Sequence, residues 1–446
     1  MKEGLRMNIK NVELEIKKLG INGEGIAYLN KKPVFIEGAF VSEKVLAYDV
    51  EDHGKYYKAK VSKILVQSKD RVKPVCKIYD RCQVCSLMPL KYEEQLQAKK
   101  DYLTEAVNKY AKINLKVDEI LACENPLNYR NSIKLPFFNL KDKLAVGLHK
   151  RDTNHYIYLK DCIVQDVNIN RIVQEILPIL DKYRYRAYDK KTKLGLRYLL
   201  VRSFNDEVMV TFVVGKNTKL LDEVLDEIFN LKNVVSINVT TNTKNSNEFV
   251  VEPIQTIRGK KSINADYGDF EFKVSPVSFL QLNTKQAIRM YDKVKELLGS
   301  NNKTVLDLYC GVGSITNYVA GNTEKIVGIE INKNAIRDAK ENAKKHRVNN
   351  AEFVAGDVEE VIKKYAKNKD IDAIIVDPPR VGLSEYTMES IIKSKTKKLI
   401  YISCNPSTLG KDLSILLQYY TIKHTTLVDM FAHTMHVESV MLLERK

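Results

Sequence analysis

The sequence has no long apolar run. Its first twenty residues, MKEGLRMNIKNVELEIKKLG, contain no apolar core of signal-peptide length, and no stretch elsewhere approaches the length of a transmembrane helix. We therefore expect a cytoplasmic protein with no membrane partner. In that compartment its seven cysteines would be kept reduced.

The stretch Thr304–Asn332, TVLDLYCGVGSITNYVAGNTEKIVGIEIN, is a nucleotide-binding pattern that lacks two common features. It reads as a strand, a glycine turn, a helix and a second strand. The turn has no third glycine at the dinucleotide position, which argues against NAD. It also has no Walker Lys-Ser/Thr pair, which argues against ATP.

Several features of this stretch favour a nucleotide-type cofactor over a purely structural unit. Gly311 and Gly313 allow the backbone to approach a ligand closely, and a helix start at Ser314 would offer further N–H donors. Glu330, near the end of the second strand, follows the first glycine at the distance of about 20 residues that is typical of a ribose-binding acid. DLYCGVG resembles the first motif of S-adenosylmethionine (SAM)-dependent methyltransferases, in which the turn meets the methionine part and the acid holds the ribose.

Three cysteines cluster in the pattern Cys76-x5-Cys82-x2-Cys85, which differs from the C-x3-C-x2-C pattern of a radical enzyme. Three thiolates so close in sequence indicate one metal centre, for which a fourth ligand is expected. Cys162 is the candidate and Cys123 the competitor. The spacing does not separate zinc from iron–sulfur.

Positive charge exceeds negative charge, with 72 Lys and Arg against 56 Asp and Glu and a net charge of +16. Such a balance suggests a polyanionic partner, whereas the simpler interpretation is a lysine-rich solvated surface. Residues 1–66 contain five short predicted strands with glycine-rich turns, typical of a small barrel that binds nucleic acid. GINGEGIAY followed by PVFI resembles the TRAM domain of RNA-modifying enzymes.

Residues 67–272 read as an α+β region, and here a more specific resemblance emerges. The triplet, then Tyr129-Arg130-Asn131, then Gly147–Arg151 leading to Asp161-Cys162, resembles the RNA 5-methyluridine methyltransferases. The similarity is greatest to the branch with a TRAM domain and a [4Fe–4S] cluster that acts on 23S ribosomal RNA. The resemblance covers nearly the whole chain. It implies that the cluster ligands are Cys76, Cys82, Cys85 and Cys162.

The same resemblance assigns cofactor contacts in residues 273–446. F-L-Q-L-N matches the family's F-x-Q-x-N stretch, so Gln281 should contact SAM. Strand-end acids are expected at the same edge of the sheet, because ligands in α/β sheets bind beyond the carboxyl ends of strands. The implied cofactor-binding residues are Gln281, Tyr309, Gly311, Glu330, Asp357 and Asp377.

Two further residues match the family's catalytic motifs. Cys404, in Ser-Cys-Asn-Pro after the fifth predicted strand, matches the nucleophile. Cys310 also lies near the cofactor turn, but the motif favours Cys404. Glu438, in His-Val-Glu, matches the general base, and His436 is a rival on spacing alone because its ordinary pKa is near neutral.

The resemblance implies methylation of uracil carbon 5 through a covalent cysteine–uracil adduct, which splits one hard step into easier ones. Transfer RNA is the alternative substrate. Cytosine-5 methylation is disfavoured because those enzymes place Pro-Cys where this chain has Asp-Pro-Pro-Arg. A non-catalytic RNA-binding or ribosome assembly factor would predict damaged motifs, and these are intact.

The predicted fold is a multidomain α/β protein, acting as a monomer. Residues 1–66 form an OB-like β-barrel (TRAM), and residues 67–272 an α+β domain with the iron–sulfur cluster. Residues 273–446 form a Rossmann-like SAM-dependent methyltransferase domain with a seven-stranded sheet. The helix predicted from about Leu90 to Lys112 could instead pack on the catalytic domain.

Overall fold

The computed structural model describes residues 5–6, 11–149, 155–244, 253–366 and 371–446. Lys150 and Arg151, which belong to one of the motifs above, lie outside these ranges. Among the described residues no helix is both long and apolar enough to span a bilayer.

The N-terminal sheet is a small closed barrel. Its spatial order is β1-β6-β7-β5-β4-β3, and β2 also pairs with β6. The chain from β2 into β3 thus pairs with β6 at one end and with β4 at the other, which closes the sheet. The five predicted strands are confirmed, and two very short ones are added. The strands are β1 (Leu5–Arg6), β2 (Val12–Glu15), β3 (Lys18–Leu19), β4 (Gly25–Leu29), β5 (Lys32–Glu37), β6 (Lys44–Asp52) and β7 (Tyr57–Val66).

The central unit is a seven-stranded sheet, in the order β11-β10-β9-β12-β13-β14-β15, with two helices. One face of the sheet packs on the apolar sides of the helices, where Ile172, Ile176 and Val224 are buried. The interior strand β13 is buried at seven of its eight positions. The elements are β9 (Ser132–Leu140), β10 (Lys143–His149), β11 (Tyr156–Tyr158), α3 (Val167–Lys182), β12 (Leu196–Phe204), β13 (Glu207–Val214), α4 (Asp222–Phe229), β14 (Val234–Thr241) and β15 (Ile254–Gly259).

The catalytic sheet has eight strands, in the order β20-β19-β18-β21-β22-β24-β23-β8. Seven come from the predicted methyltransferase region. The run from β20 to β22 is parallel, whereas β24 is antiparallel to both neighbours. The elements are α5 (Thr284–Leu298), β18 (Asn302–Leu308), α6 (Ser314–Val319), β19 (Thr323–Glu330), α7 (Lys333–Lys345), β20 (Ala351–Ala355), α8 (Val358–Ala366), β21 (Ala373–Val376), α9 (Glu385–Ser394), β22 (Lys398–Ser403), α10 (Pro406–Leu416), β23 (Tyr420–Val428) and β24 (Glu438–Arg445).

Two parts of the range 67–272 pack with the catalytic sheet rather than with the central unit. The eighth strand, β8 (Glu119–Leu121), pairs with β23, and α2 (Tyr92–Ala111) packs against α10. A Cβ at Gly410 of α10 would lie 2.9 Å from the carbonyl oxygen of Ala106, so the glycine permits this close helix contact. The structure thus realises the alternative placement of the helix predicted near Leu90–Lys112.

The predicted boundary at residue 273 also requires correction. A hairpin of β16 (Ile263–Tyr267) and β17 (Phe270–Val274) contributes to the same apolar core as α5 and β18. Residue 273 lies inside β17, so the boundary would divide a strand. This hairpin was not predicted from the sequence, although buried Ile263, Ala265 and Tyr267 alternate with polar residues along β16. A short helix, α1 (Tyr79–Cys82), lies within the cysteine triplet.

Candidate active site at the carboxyl edge of the catalytic sheet

The turn after β18 is tightly wound. Tyr309, Gly311 and Gly313 all have positive φ angles, of 67°, 54° and 73°. A Cβ at Gly313 would lie 2.7 Å from the ring of Phe353, so only glycine fits where α6 begins. Tyr309 is a bulky residue in the left-handed region, which is locally strained backbone. Its hydroxyl lies 3.4 Å from the Thr387 hydroxyl.

Glu330 lies against this turn, as its spacing predicts. One carboxylate oxygen accepts a hydrogen bond from the Gly311 N–H at 3.3 Å, and the other accepts from the Asn332 N–H at 2.8 Å. Asp357 follows the neighbouring strand β20 and is exposed. Its carboxylate accepts from the Glu359 N–H at 2.8 Å. Both acids therefore lie at the carboxyl edge, at the ends of adjacent strands.

Cys404 and Glu438 come together through antiparallel pairing. Ser403 at the end of β22 pairs with Ser439 near the start of β24, so the residues on either side of this pair meet at one edge. Glu438 is buried. Burial and the nearby Asp377 raise the pKa of Glu438 well above its usual range. Burial, with the charges of Glu438 and Asp377, raises the pKa of the Cys404 thiol to about 12.

Asp377 follows β21, the strand beside β22, and lies at the same edge as Cys404 and Glu438. Burial raises the pKa of its carboxyl to about 7. Arg380, three residues further on, opposes these shifts, because its charge lowers the pKa of both Cys404 and Glu438. Its carbonyl accepts hydrogen bonds from the Asn405 amide at 2.9 Å and the Thr408 hydroxyl at 3.3 Å. These bonds tie the loop after β21 to the loop after β22.

His436, the rival base, lies two residues before Glu438 with its ring edge-on to Phe431 at 5.9 Å. Burial of part of the ring lowers the pKa of His436, and the cations Arg380, Lys99 and Arg130 lower it further. A neutral imidazole with a lowered pKa is a weak proton acceptor, so the electrostatics favour Glu438 as the base.

Gln281 is buried in the loop between β17 and α5. Its carbonyl accepts hydrogen bonds from the Asn131 amide at 2.9 Å and the Tyr267 hydroxyl at 3.4 Å. Ser278 in the same loop donates to Asp338 of α7 at 3.0 Å. A Cβ at Gly313 would be 3.0 Å from Ala339 of α7, so α7 connects this loop to the glycine turn. Contact between the Gln281 side chain and a cofactor stays a prediction.

The four cysteines assigned to the metal centre influence one another electrostatically. Burial raises the pKa of Cys85 to about 12, and Cys162, Cys82 and Cys76 raise it further. All four are partly buried. Among the described residues, no three His, Cys, Asp or Glu side chains are grouped closely enough to hold one metal ion. Cys123, the competing fourth ligand, lies elsewhere: the Asn283 amide donates to its sulfur at 3.5 Å.

Cys310 is buried behind the glycine turn, in a small apolar cluster with Ile336 and Phe353. Burial raises the pKa of its thiol well above the usual range. This placement agrees with the interpretation of Cys310 as a small residue beside the cofactor turn.

A buried ion pair behind the site was not predicted from the sequence. Lys99 of α2 donates to Asp429, and both side chains are almost fully inaccessible, at 0% and 1% exposure. One signal was available: Lys99 occupies the buried stripe of α2 with Gln95, Leu103 and Val107. A lysine at an apolar position of an amphipathic helix requires a buried acid nearby.

Comparison with known proteins assigns the chain to a family. Residues 91–446 match the family described as tRNA (Uracil-5-)-methyltransferase, and residues 5–68 match the TRAM domain. The chain belongs to the tRNA (uracil-5-)-methyltransferase family. It is an RNA methyltransferase that uses SAM, and it carries an N-terminal TRAM domain.

Relatives of similar length support this assignment. An uncharacterized RNA methyltransferase of Bacillus cereus is 34% identical over 443 residues, covering 97% of this chain and 96% of the relative. One from Streptococcus agalactiae is 33% identical, covering 98% of each chain. The crystal structure of Pyrococcus abyssi tRNA (uracil-54, C5)-methyltransferase in complex with S-adenosyl-L-homocysteine superimposes with a TM-score of 0.78. That comparison has 27% identity and covers 97% of this chain and 100% of that one.

Proposed function

We propose that this methyltransferase adds a methyl group to carbon 5 of a specific uridine in 23S rRNA through a covalent adduct with Cys404. The main support is that Cys404, Glu438 and Asp377 lie together at the carboxyl edge of the sheet. The glycine turn after β18 lies at the same edge. A thiol and a carboxylate on adjacent strands are the nucleophile and base that this reaction requires.

The chemistry assigns one task to each group. The Cys404 thiolate adds to carbon 6 of uracil, and the resulting enolate uses carbon 5 to attack the sulfonium methyl, which releases S-adenosylhomocysteine. Glu438 then removes the proton from carbon 5. The electrons of that C–H bond form the C5–C6 double bond, and the C6–S bond breaks to return the thiolate.

The raised pKa values support this division of tasks. A carboxylate with a raised pKa is a stronger proton acceptor than an ordinary glutamate. The cationic Arg380 stabilises negative charge on the thiolate, which burial alone would disfavour. The target uridine must leave its stack to reach these groups, as in other enzymes that modify a base.

The remaining edge residues would hold SAM. Gly311 and Tyr309 would meet the methionine part, Glu330 the ribose hydroxyls and Asp357 the adenine amino group, with Gln281 and Asp377 near the reacting atoms. Glu330 already accepts a backbone N–H of the turn. Its other lone pairs could accept ribose hydroxyls without a change in the turn.

The four thiols match a [4Fe–4S] cluster in donor type and number, since such clusters take four cysteine ligands. In the described part of the chain, however, no three candidate ligands are grouped closely enough to hold one metal ion. Cys76, Cys82, Cys85 and Cys162 would hold it. No step of the reaction transfers electrons, so we assign the cluster a structural or RNA-binding role. Anaerobic reconstitution followed by absorption and iron analysis tests whether the protein binds a cluster. The Cys123→Ala variant should retain iron, because Cys123 is not one of the four proposed ligands.

Transfer RNA is the second candidate substrate, favoured by the superposition on a protein named for uracil 54 of tRNA. The resemblance to the branch with a cysteine triplet favours 23S rRNA. A non-catalytic RNA-binding or assembly role is the third alternative. For all three we propose a monomer acting in the cytoplasm.

The deciding experiment transfers labelled methyl from SAM to 23S rRNA fragments and to a tRNA pool, with Cys404→Ala as the inactive variant. Cys310→Ala is the matched control, since Cys310 is buried behind the turn. Label in rRNA that is lost only in Cys404→Ala supports the proposal. Label in tRNA alone overturns the substrate, and RNA binding without label in either pool supports the assembly role.

A further inference from the structure

The segment Asp429–Val437, here called the strap, connects β23 to β24 and leads directly into Glu438. It contains no helix or strand, and within it the Thr434 N–H donates to the Phe431 carbonyl at 3.2 Å. It carries His436 and delivers the proposed base. Glu438 is the first residue of β24 and pairs with Val428 of β23. The contacts that hold the strap from outside therefore fix the chain that leads into this strand end.

Three side chains of α2 hold the strap. Lys99 donates to the Asp429 carboxylate and, at 3.0 Å, to the Phe431 carbonyl. The Tyr92 hydroxyl donates to the second oxygen of Asp429 at 2.5 Å. Gln95 accepts the His433 N–H at 3.1 Å. Tyr92, Gln95 and Lys99 follow helical spacing, so they reach the strap from one face of α2.

Other elements hold the same stretch of backbone. Four donors bind its carbonyls: the Gln286 amide to Asp429 at 3.2 Å, the Asn283 amide to Met430 at 3.3 Å, the Tyr129 hydroxyl to Ala432 at 3.1 Å and the Leu87 N–H to His433 at 2.9 Å. Residues 429–433 are thus fixed at nearly every position, by groups from four separate parts of the chain.

Packing alone does not explain the buried ion pair between Lys99 and Asp429. Both Lys99 and Asp429 are fully buried, and apolar residues of similar volume often stabilise such a site as well or better. A charged pair adds direction, because Lys99 must meet both the carboxylate and the Phe431 carbonyl. The pair therefore specifies one position of the strap against α2, rather than simply filling space.

We propose that Lys99 and Tyr92 are positioning residues that fix the strap, so that Glu438 can remove the carbon 5 proton. This inference rests on the proposed function. Cys404 lies on a different loop, which is tied to Arg380 through Asn405. Loosening the strap would leave the nucleophile in place but misplace the base. Adduct formation and methyl transfer would continue, whereas resolution of the methylated adduct would slow.

The test uses Tyr92→Phe and Lys99→Met in the full chain, with Tyr110→Phe as the control. Tyr110 lies on the same helix, where its ring meets Lys109 and Lys411 rather than the strap. With labelled SAM, denaturing gels follow the protein–RNA adduct and its decay. We expect adduct formation within about twofold of the wild type and an adduct lifetime at least tenfold longer, since a 1.4 kcal/mol misplacement of the base is a factor of about ten. An unchanged lifetime overturns the inference.

Hydrogen exchange of the strap amides gives a second measurement that does not require activity. Tyr92→Phe retains the ring and the Lys99–Asp429 pair, so it should fold, and its strap amides should exchange faster than those of the wild type or of Tyr110→Phe. Unchanged exchange overturns the inference even if Lys99→Met fails to fold. Wild-type protein that forms neither adduct nor product overturns the proposed function, and this inference with it.

Discussion

At the scale of single residues, the site combines groups that resist ionisation with a reaction that requires them ionised. Burial raises the pKa of Asp377, and burial together with neighbouring negative charges raises the pKa of Cys404 and Glu438. In the free protein each group therefore holds its proton to a higher pH than usual. The positive charge of Arg380 partly opposes the increase in the pKa of Cys404 and Glu438. Glu438 is therefore a stronger base than an ordinary glutamate, but less of it is ionised at a given pH.

The first prediction is a rate that rises with pH. Both the Cys404 thiolate and the Glu438 carboxylate are deprotonated forms of groups with raised pKa, so their populations grow as pH increases. Formation of free methylated RNA in a single turnover at saturating RNA requires both groups, and its rate should increase from pH 6 to pH 9. A rate that falls over this range would contradict the assigned roles.

A second prediction concerns stability. The pKa of Asp377 is about 7 in the folded protein, above its ordinary value of 3.8. A raised folded pKa stabilises the native state at low pH, and this contribution is lost as pH rises through about 7. Asp377→Asn should therefore be more stable than the wild type at pH 8, by on the order of 4 kcal/mol for a shift of about three pKa units. It should unfold at a higher temperature than the wild type at pH 8 and at nearly the same temperature at pH 4.

The control for this measurement is Asp357→Asn, at the same edge of the sheet. Asp357 is exposed and caps the Glu359 N–H, so neutralising it removes no buried charge. Its melting temperature should not gain at pH 8. If both variants gain equally, net charge rather than the burial of Asp377 would explain the effect.

At the scale of elements, the glycine turn and the strand ends form the cofactor edge. The turn is possible because Gly313 adopts a left-handed conformation against Phe353. The sequence predicted the strand, turn and helix here correctly, because their signals are local. It did not predict β8 as the eighth strand, because a strand of three residues is too short to show alternation. It also did not predict the β16–β17 hairpin, although the residues of β16 alternate.

The third prediction is that Gly313→Ala weakens cofactor binding. Its Cβ would lie 2.7 Å from the Phe353 ring in a backbone conformation unfavourable for alanine, so the turn must shift, at a cost of about 1–3 kcal/mol. Calorimetry with S-adenosylhomocysteine should show at least a fivefold loss of affinity. Gly321→Ala is the matched control, since a Cβ there meets nothing within 4 Å.

At the scale of the whole molecule, three units meet around the catalytic edge. Phe40 of the barrel packs with Leu87, Leu90 and Met435, and Met435 belongs to the strap. The barrel, the cysteine-bearing segment and the catalytic domain therefore share one apolar contact close to Glu438. The net charge of +16 favours association with a polyanion.

The fourth prediction is a strong salt dependence of RNA binding. If the protein neutralises about six phosphates, affinity should fall by about 10³ between 50 and 200 mM salt. Filter binding with an inactive Cys404→Ala protein would measure this without turnover. Binding of S-adenosylhomocysteine should change little, and an equally flat response for RNA would contradict an electrostatic RNA interface.

The sequence by itself determined the family, the order of the units and the motifs that place acids and cysteines at strand ends. These features depend on the spacing of residues along the chain, because a residue just after a strand lies at the end of that strand in the sheet. Only the tertiary structure decided that β8 joins the catalytic sheet and that α2 packs against α10 beside it. It also decided that Lys99 binds Asp429, which is 330 residues away in the chain. Contacts of such separation depend on how whole elements pack, and no local pattern specifies the partner of a buried charge.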